Sequence, residues 1–166
     1  MAMTRIIAID PGVQTGYVYA RITNTKELEA YPFQAVDEVD DLWRRLFHFA
    51  PDIIIMEDFE VRGKGTMGLN LFPVQLIGIV HLYEMIEPKG TVQVFMQKAS
   101  TGKSYYTDHM LKANKVYKRG CPHGMDALRH LLQWTTFGAG FRLINDRTGG
   151  TAATLLPSWE EASEKT

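Results

Sequence analysis

Two short apolar runs in this sequence end on acids, and a third acid follows a histidine by three residues near the start of a late helical pattern. The first run, Ile6 to Ile9, stops at Asp10; the second, Ile53 to Met56, stops at Glu57, with Asp58 directly after it. His123 and Asp126 lie in the stretch CPHGMDALRHLLQWTTF. A carboxylate at the edge of a core is costly unless a cation, a metal or several donors meet it. Three acids and an imidazole gathered in one place would form an oxygen-rich ligand set, which favours hard cations such as Mg2+ or Mn2+. The single cysteine, Cys121, excludes a thiolate-rich zinc site. A pair of such ions would activate a water and stabilise the leaving oxygen of a phosphodiester, and the reaction would be hydrolysis. Each piece alone also has a plainer use: Asp10-Pro11-Gly12 makes a tight turn, and His123 or Asp126 can cap a helix.

The elements that must position these residues follow from hydrophobic period and punctuation. The two apolar runs read as buried strands. Pro11 and Gly12 turn the chain, and Gly16 opens an alternating segment through Ala20 that predicts a hairpin back along the first strand. Leu28 to Gln34 predicts a third antiparallel strand. Acids from Asp37 to Asp41 then start a helix over about Val39 to Phe49, which stops before Pro51; its Trp43 and Phe47 are assigned to packing. A strand, a crossover helix and a second strand are what a parallel pair requires, so Asp10 and Glu57 are expected side by side.

Beyond the second acid, residues 59 to 70 carry Arg62, Gly63, Lys64 and Gly65 and read as a mobile loop, which could hold a DNA backbone, insert Phe59, or merely connect. Leu71 to Ile86 reads as a mostly apolar helix that must be covered on more than one side, by the core and by a second copy of the chain. Thr91 to Met96 predicts a further strand.

Net charge is −1, yet the charge is segregated: residues 1–60 hold five Lys or Arg against eleven acids, and residues 61–147 hold twelve against five. Lys98, Lys103, Lys112, Lys115, Lys118 and Arg119 face one acid, Asp108, among Tyr105, Tyr106 and Tyr117. Cations mixed with aromatics suit phosphate contact and base stacking, or else form a solvated helix face. With 166 residues and 45% hydrophobic content, one domain is expected over residues 1–146, with a poorly ordered tail over 147–166. No apolar run approaches the roughly 18 residues of a membrane span, and a reducing, cytoplasmic setting is expected.

AIDPGVQTGY, IIIMEDFEV and HGMDALRH, in this order and spacing over approximately residues 4 to 138, resemble the RuvC family of Holliday junction resolvases within the RNase H-like superfamily. The short chain looks most similar to phage-type members. The resemblance implies an α/β fold with a mixed five-stranded RNase H-like sheet flanked by helices, and a homodimer acting on four-way DNA junctions in a bacterial or phage-infected cell. It implies two Mg2+ ions per site, replaceable by Mn2+: Asp10 would contact both, Glu57 one, and Asp126 with His123 the other. Lys98 and Lys103 would lie near the scissile phosphate, and Phe59 would be the aromatic after the strand-four acid. Competing readings keep the metals but cleave flaps, forks or RNA-containing hybrids, or keep DNA binding without cleavage. An actin-like or sugar-kinase phosphate loop would need a longer, two-domain chain.

Overall fold

Both apolar runs form strands, and each acid stands at or next to its strand's C-terminal end. In the computed structural model, which describes residues 3–23, 27–59, 70–100, 104–140 and 155–156, β1 (Thr4–Asp10) pairs antiparallel with β2 (Thr15–Ile22), and β2 with β3 (Leu28–Ala35). Helix α1 (Val39–Phe49) carries the chain over to β4 (Ile53–Asp58), which lies parallel to β1. Helix α2 (Phe72–Ile86) leads to β5 (Gln93–Lys98), parallel to β4. The short α3 (Asp108–Ala113) and the long α4 (Pro122–Phe137) follow. A two-residue strand, β6 (Leu155–Leu156), lies parallel to β3, giving the order β5-β4-β1-β2-β3-β6. The five longer strands are the expected mixed sheet of an RNase H-like α/β fold. β5 starts two residues later than the sequence predicts, so Lys98 belongs to the strand.

Side-chain alternation divides the sheet into two cores. On one face Ile6, Ala8, Val18, Ala20, Ile53 and Ile55 meet Met125, Leu128, Leu131 and Trp134 of α4; Leu111 and Val116 close the outer side. On the other face Ile7, Ile9, Tyr17, Ile54 and Met56 meet Leu42 and Leu46 of α1 and Leu76, Val80 and Tyr83 of α2. Trp43 and Phe47 pack edge-on to each other, with ring centroids 4.7 Å apart, and both contact Tyr83. Within the chain α2 is covered on one side, while Leu82, Met85 and Ile86 are exposed. Among the described residues no helix is long and apolar enough to cross a membrane. Residues 60–69, with Arg62 and Lys64, Lys103, and residues 141–166 apart from Leu155 and Leu156 lie outside the described residues.

Local chemistry starts and stops these helices. A reciprocal capping box holds the start of α1, where Asp41 accepts from the Glu38 backbone N–H at 2.9 Å. Its end turns on Ala50, at φ +47°. One acid of that region has a buried role. Asp37 accepts from the Tyr17 hydroxyl at 2.7 Å and from Arg45 Nε and Nη2 at 2.7 and 2.9 Å, and the guanidinium lies over the Tyr17 and Phe33 rings. Burial works against the Asp37 carboxylate, but bonds from Arg45 and Tyr17 outweigh it and hold the carboxyl below its ordinary value. Tyr17→Phe removes one bond while leaving the ion pair, so a loss of about 2 kcal/mol is expected in urea denaturation, the range for a hydrogen bond to a charged group.

Candidate active site

One row of residues crosses five strands at the end of the sheet where the acids lie. Gln97 is registered with Glu57, and Asp10 with Gly16, which in turn is registered with Gln34. Ile9 pairs with Met56, so Asp10 follows beside Glu57. Alternation turns this whole row toward α4. The helix lies across the row and touches it along its length.

The contact begins at the first turn of α4. Pro122 occupies the first helical position, where its missing N–H costs nothing. The side chain of Cys121 does not cap the helix; instead the His123 backbone N–H donates to Gln34 Oε1 at 3.2 Å. A Cβ on Gly16 would stand 2.0 Å from the His123 carbonyl oxygen, and one on Gly124 would stand 2.7 Å from the Phe33 carbonyl oxygen. Two missing side chains therefore let backbone lie on backbone. His123 Nδ1 then comes 3.1 Å from Asp10 Oδ2.

The acids interact strongly. Asp10 is 7% exposed. Burial first, then the charge of Glu57, push its carboxyl up to about 6; the bond to His123 pulls the other way, and Asp126 and a hydrogen bond with Glu57 add to the rise. Asp10 thus lies within reach of Glu57, Asp126 and His123, residues far from it in the chain. Glu57 and Asp126 are each held by a second group that sequence reasoning missed. The His130 ring, 1% exposed, brings Nε2 to 2.9 Å from Glu57 Oε2 and Nδ1 to 2.9 Å from Gln97 Oε1. Arg129 Nη1 bonds Asp126 Oδ1, Nη2 bonds Asp108 Oδ1, and Nε donates to the Tyr106 carbonyl at 2.7 Å. The signal was present in the sequence: Arg129 and His130 interrupt an apolar helix face between Leu128 and Leu131, and long polar side chains are buried only when paired.

A carboxyl raised to about 6 by burial and then by its neighbours' charge is what a divalent cation would relieve, and the donor set of oxygens with one imidazole suits a hard cation. In their chemistry these residues suit such an ion. Among the described residues no group of three or more His, Cys, Asp or Glu is placed to hold a metal ion; Asp126 is bonded to Arg129, and one oxygen of Glu57, Oε2, to His130.

Lys98 is exposed at the end of β5, registered with Asp58, and Phe59 follows β4 half-buried. Lys112, Lys115, Lys118 and Arg119 are exposed after or on α3. Lys112 Nζ lies 4.6 Å from the Tyr117 ring centroid, and Lys118 Nζ donates to the Pro32 carbonyl at 3.2 Å. Asp108, expected as the acid among these cations, is bonded to Arg129.

The RNase H-like class that the sheet defines has solved members of similar shape. RuvC of T. thermophilus, solved with a Holliday junction substrate, superposes with a TM-score of 0.57 at 13% identity, over 81% of this chain and 97% of that one. The yeast mitochondrial Holliday junction resolvase gives 0.53 at 12% identity, over 84% of each chain. The fowlpox virus Holliday junction resolvase gives 0.52 at 15%, over 80% and 99%. These likenesses are of fold. No protein-family model and no curated protein matches the sequence.

Proposed function

We propose that the protein is a metal-dependent endonuclease that resolves four-way DNA junctions by paired, symmetric nicks as a homodimer. The observation that carries the reading is the convergence of Asp10, Glu57, His123 and Asp126 at one end of the sheet, with Asp10 held near 6 by burial and its neighbours. The junction as substrate is supported by the likeness in fold to solved resolvases. Asp10, Glu57, His123 and Asp126 would hold the ions. Two Mg2+ ions, or Mn2+ in their place, would lower the pKa of the attacking water and stabilise the leaving oxygen. Asp10, central in the row and raised to about 6, would be mostly ionised at neutral pH and so available as a ligand. Lys98 ends β5 at the same sheet end, its side chain alternating to the face away from α4, and would meet the cleaved strand's phosphate from that edge; Lys103 is assigned beside it by sequence. Lys112, Lys115, Lys118 and Arg119, with Arg62 and Lys64, would bind the junction arms, and Phe59 would meet a base. The exposed side of α2 supplies the dimer surface.

One observation favours a second reading, a relative that binds branched DNA without cutting it: Arg129 already neutralises Asp126. The deciding experiment is Mg2+-dependent cleavage of an immobile four-way junction, beside duplex, flap, fork and RNA/DNA hybrid controls. Symmetric paired nicks in the junction are expected. Preferential cutting of forks or flaps would replace the substrate, and tight junction binding without cleavage in Mg2+ or Mn2+ would favour the silent relative. Lys112→Ala with Lys115→Ala is expected to weaken junction binding and to reduce the slope of log affinity against log salt by about 1 to 2, as fewer counterions are released. An unchanged slope in a salt titration would reduce this patch to a solvated face.

A further inference from the structure

His130 does no chemistry in the reading above, yet it is among the most buried polar residues of the molecule, at 1% exposure. Both ring nitrogens and its backbone carbonyl are engaged with the row below. Gln97 Nε2 donates to the His130 carbonyl at 3.2 Å, which turns Gln97 Oε1 toward the ring at 2.9 Å from Nδ1. An amide oxygen only accepts, so Nδ1 carries a proton and donates. With Nδ1–H so engaged, the bond between Nε2 and Glu57 Oε2, 2.9 Å apart, runs through a further proton shared by that pair. Glu57 and Gln97 are direct cross-strand partners, so the imidazole spans two neighbouring strands from above.

We propose that His130, itself oriented by Gln97, is the positioning residue that aims the Glu57 carboxylate toward Asp10 and so prepares the pair of acids to take up a divalent cation. The inference rests on the metal-site reading. Glu57 has several rotatable bonds, and half-buried beside Asp10 it would swing away from a like charge toward solvent. One oxygen bonded to a fixed ring removes that freedom. The geometry supports this: Asp10 follows Ile9, the partner of Met56, and so lies beside Glu57 on the neighbouring strand, while Glu57 Oε2 stands 2.9 Å from His130 Nε2. Outer partners that orient a metal-binding side chain typically change metal affinity by about 10–100-fold when removed.

The test is calorimetric titration of the whole protein with Mn2+, together with the thermal shift that Mn2+ produces, for wild type, His130→Leu, His130→Gln and Gln97→Leu. Junction binding in EDTA is measured in parallel. His130→Leu is expected to weaken Mn2+ binding by about 10–100-fold and to lose most of the Mn2+-dependent thermal shift, with junction binding in EDTA retained. His130→Gln keeps an N–H donor and is expected to recover most of the affinity; Gln97→Leu loosens the ring and falls between. Wild-type Mn2+ affinity in His130→Leu, even with a lower melting temperature in EDTA, would overturn the proposal and leave His130 a packing residue. Should His130→Leu fail to fold, Gln97→Leu decides: weaker Mn2+ binding supports the positioning role and unchanged binding overturns it. Absence of Mn2+ binding in wild type and in Asp10→Asn alike would instead overturn the metal-site reading, and this proposal with it.

Discussion

Asp10→Asn is expected to abolish junction cleavage, by at least about a thousandfold, while making the metal-free protein more stable at neutral pH. The two effects have one cause. Asp10 is held close to Glu57 and Asp126 under 7% exposure, which raises its carboxyl from 3.8 to about 6. A carboxyl whose folded pKa is raised contributes its stability fully below the unfolded pKa and loses it as pH rises through the folded one. Folding should therefore weaken between pH 4 and pH 7 by about 3 kcal/mol from this group, at 1.36 kcal/mol per pKa unit. Asparagine cannot ionise and escapes that loss, less whatever the His123 contact returns. Urea denaturation in EDTA at pH 4, 6 and 8 should show the two proteins equal at the lowest pH and the variant ahead at the highest. Saturating Mg2+ should reverse the order, because binding stabilises only the protein that retains the ligand. A pH-independent difference would show that Asp10 is not strained by its neighbours. Undiminished cleavage would remove it from the chemistry.

Gly16→Ala is expected to cost about 3 kcal/mol or more, beyond the usual price of an added methyl in a core, and to reduce cleavage as well. Its Cβ would lie 2.0 Å from the His123 carbonyl oxygen, 2.2 Å from that carbonyl carbon and 2.8 Å from the Gly124 nitrogen. All three are backbone atoms, so no side chain can rotate away. The first turn of α4 must lift, and His123 leaves Asp10 with it. Gly78→Ala is the control: its Cβ meets nothing within 4 Å on α2, and alanine in a helix interior is favoured by about 0.8–1 kcal/mol over glycine. Urea denaturation of the two variants should move in opposite directions. Equal, small effects would mean that the hairpin and the helix do not touch as described.

Sequence reasoning reached the strands, α1 and the strand-end acids because each is written in local terms: short apolar runs, a carboxylate where the run stops, acids before a periodic helix. The parallel pairing of β1 with β4 followed from the crossover helix between them. What it missed are contacts that arise only in three dimensions. His130 meets Glu57 across 73 positions of sequence, and Arg129 joins Asp126 to Asp108, so the acid counted among the basic residues serves the helix instead. Gln97 was hidden by the strand boundary: a strand ending at Met96 leaves it in a loop, whereas β5 through Lys98 sets it beside Glu57. Asp37 shows the same limit from the other side. Among four nearby acids at the start of α1, nothing in the sequence distinguishes the one whose partners are Tyr17 and Arg45.

On the proposed function, the row beneath α4 also dictates when the protein would first be able to cut DNA. Its members arrive from β1, β2, β3, β4 and β5, and the His123–Asp10 contact joins residues 113 positions apart. No fragment emerging from the ribosome holds the assembled site until α4 has been made and has closed over the finished sheet. A nascent chain can carry all of its strands and still lack the His123 imidazole and the Asp126 carboxylate. On that reading hydrolytic competence would come only with completion of the fold, and a product truncated before Pro122 is expected to leave DNA uncut.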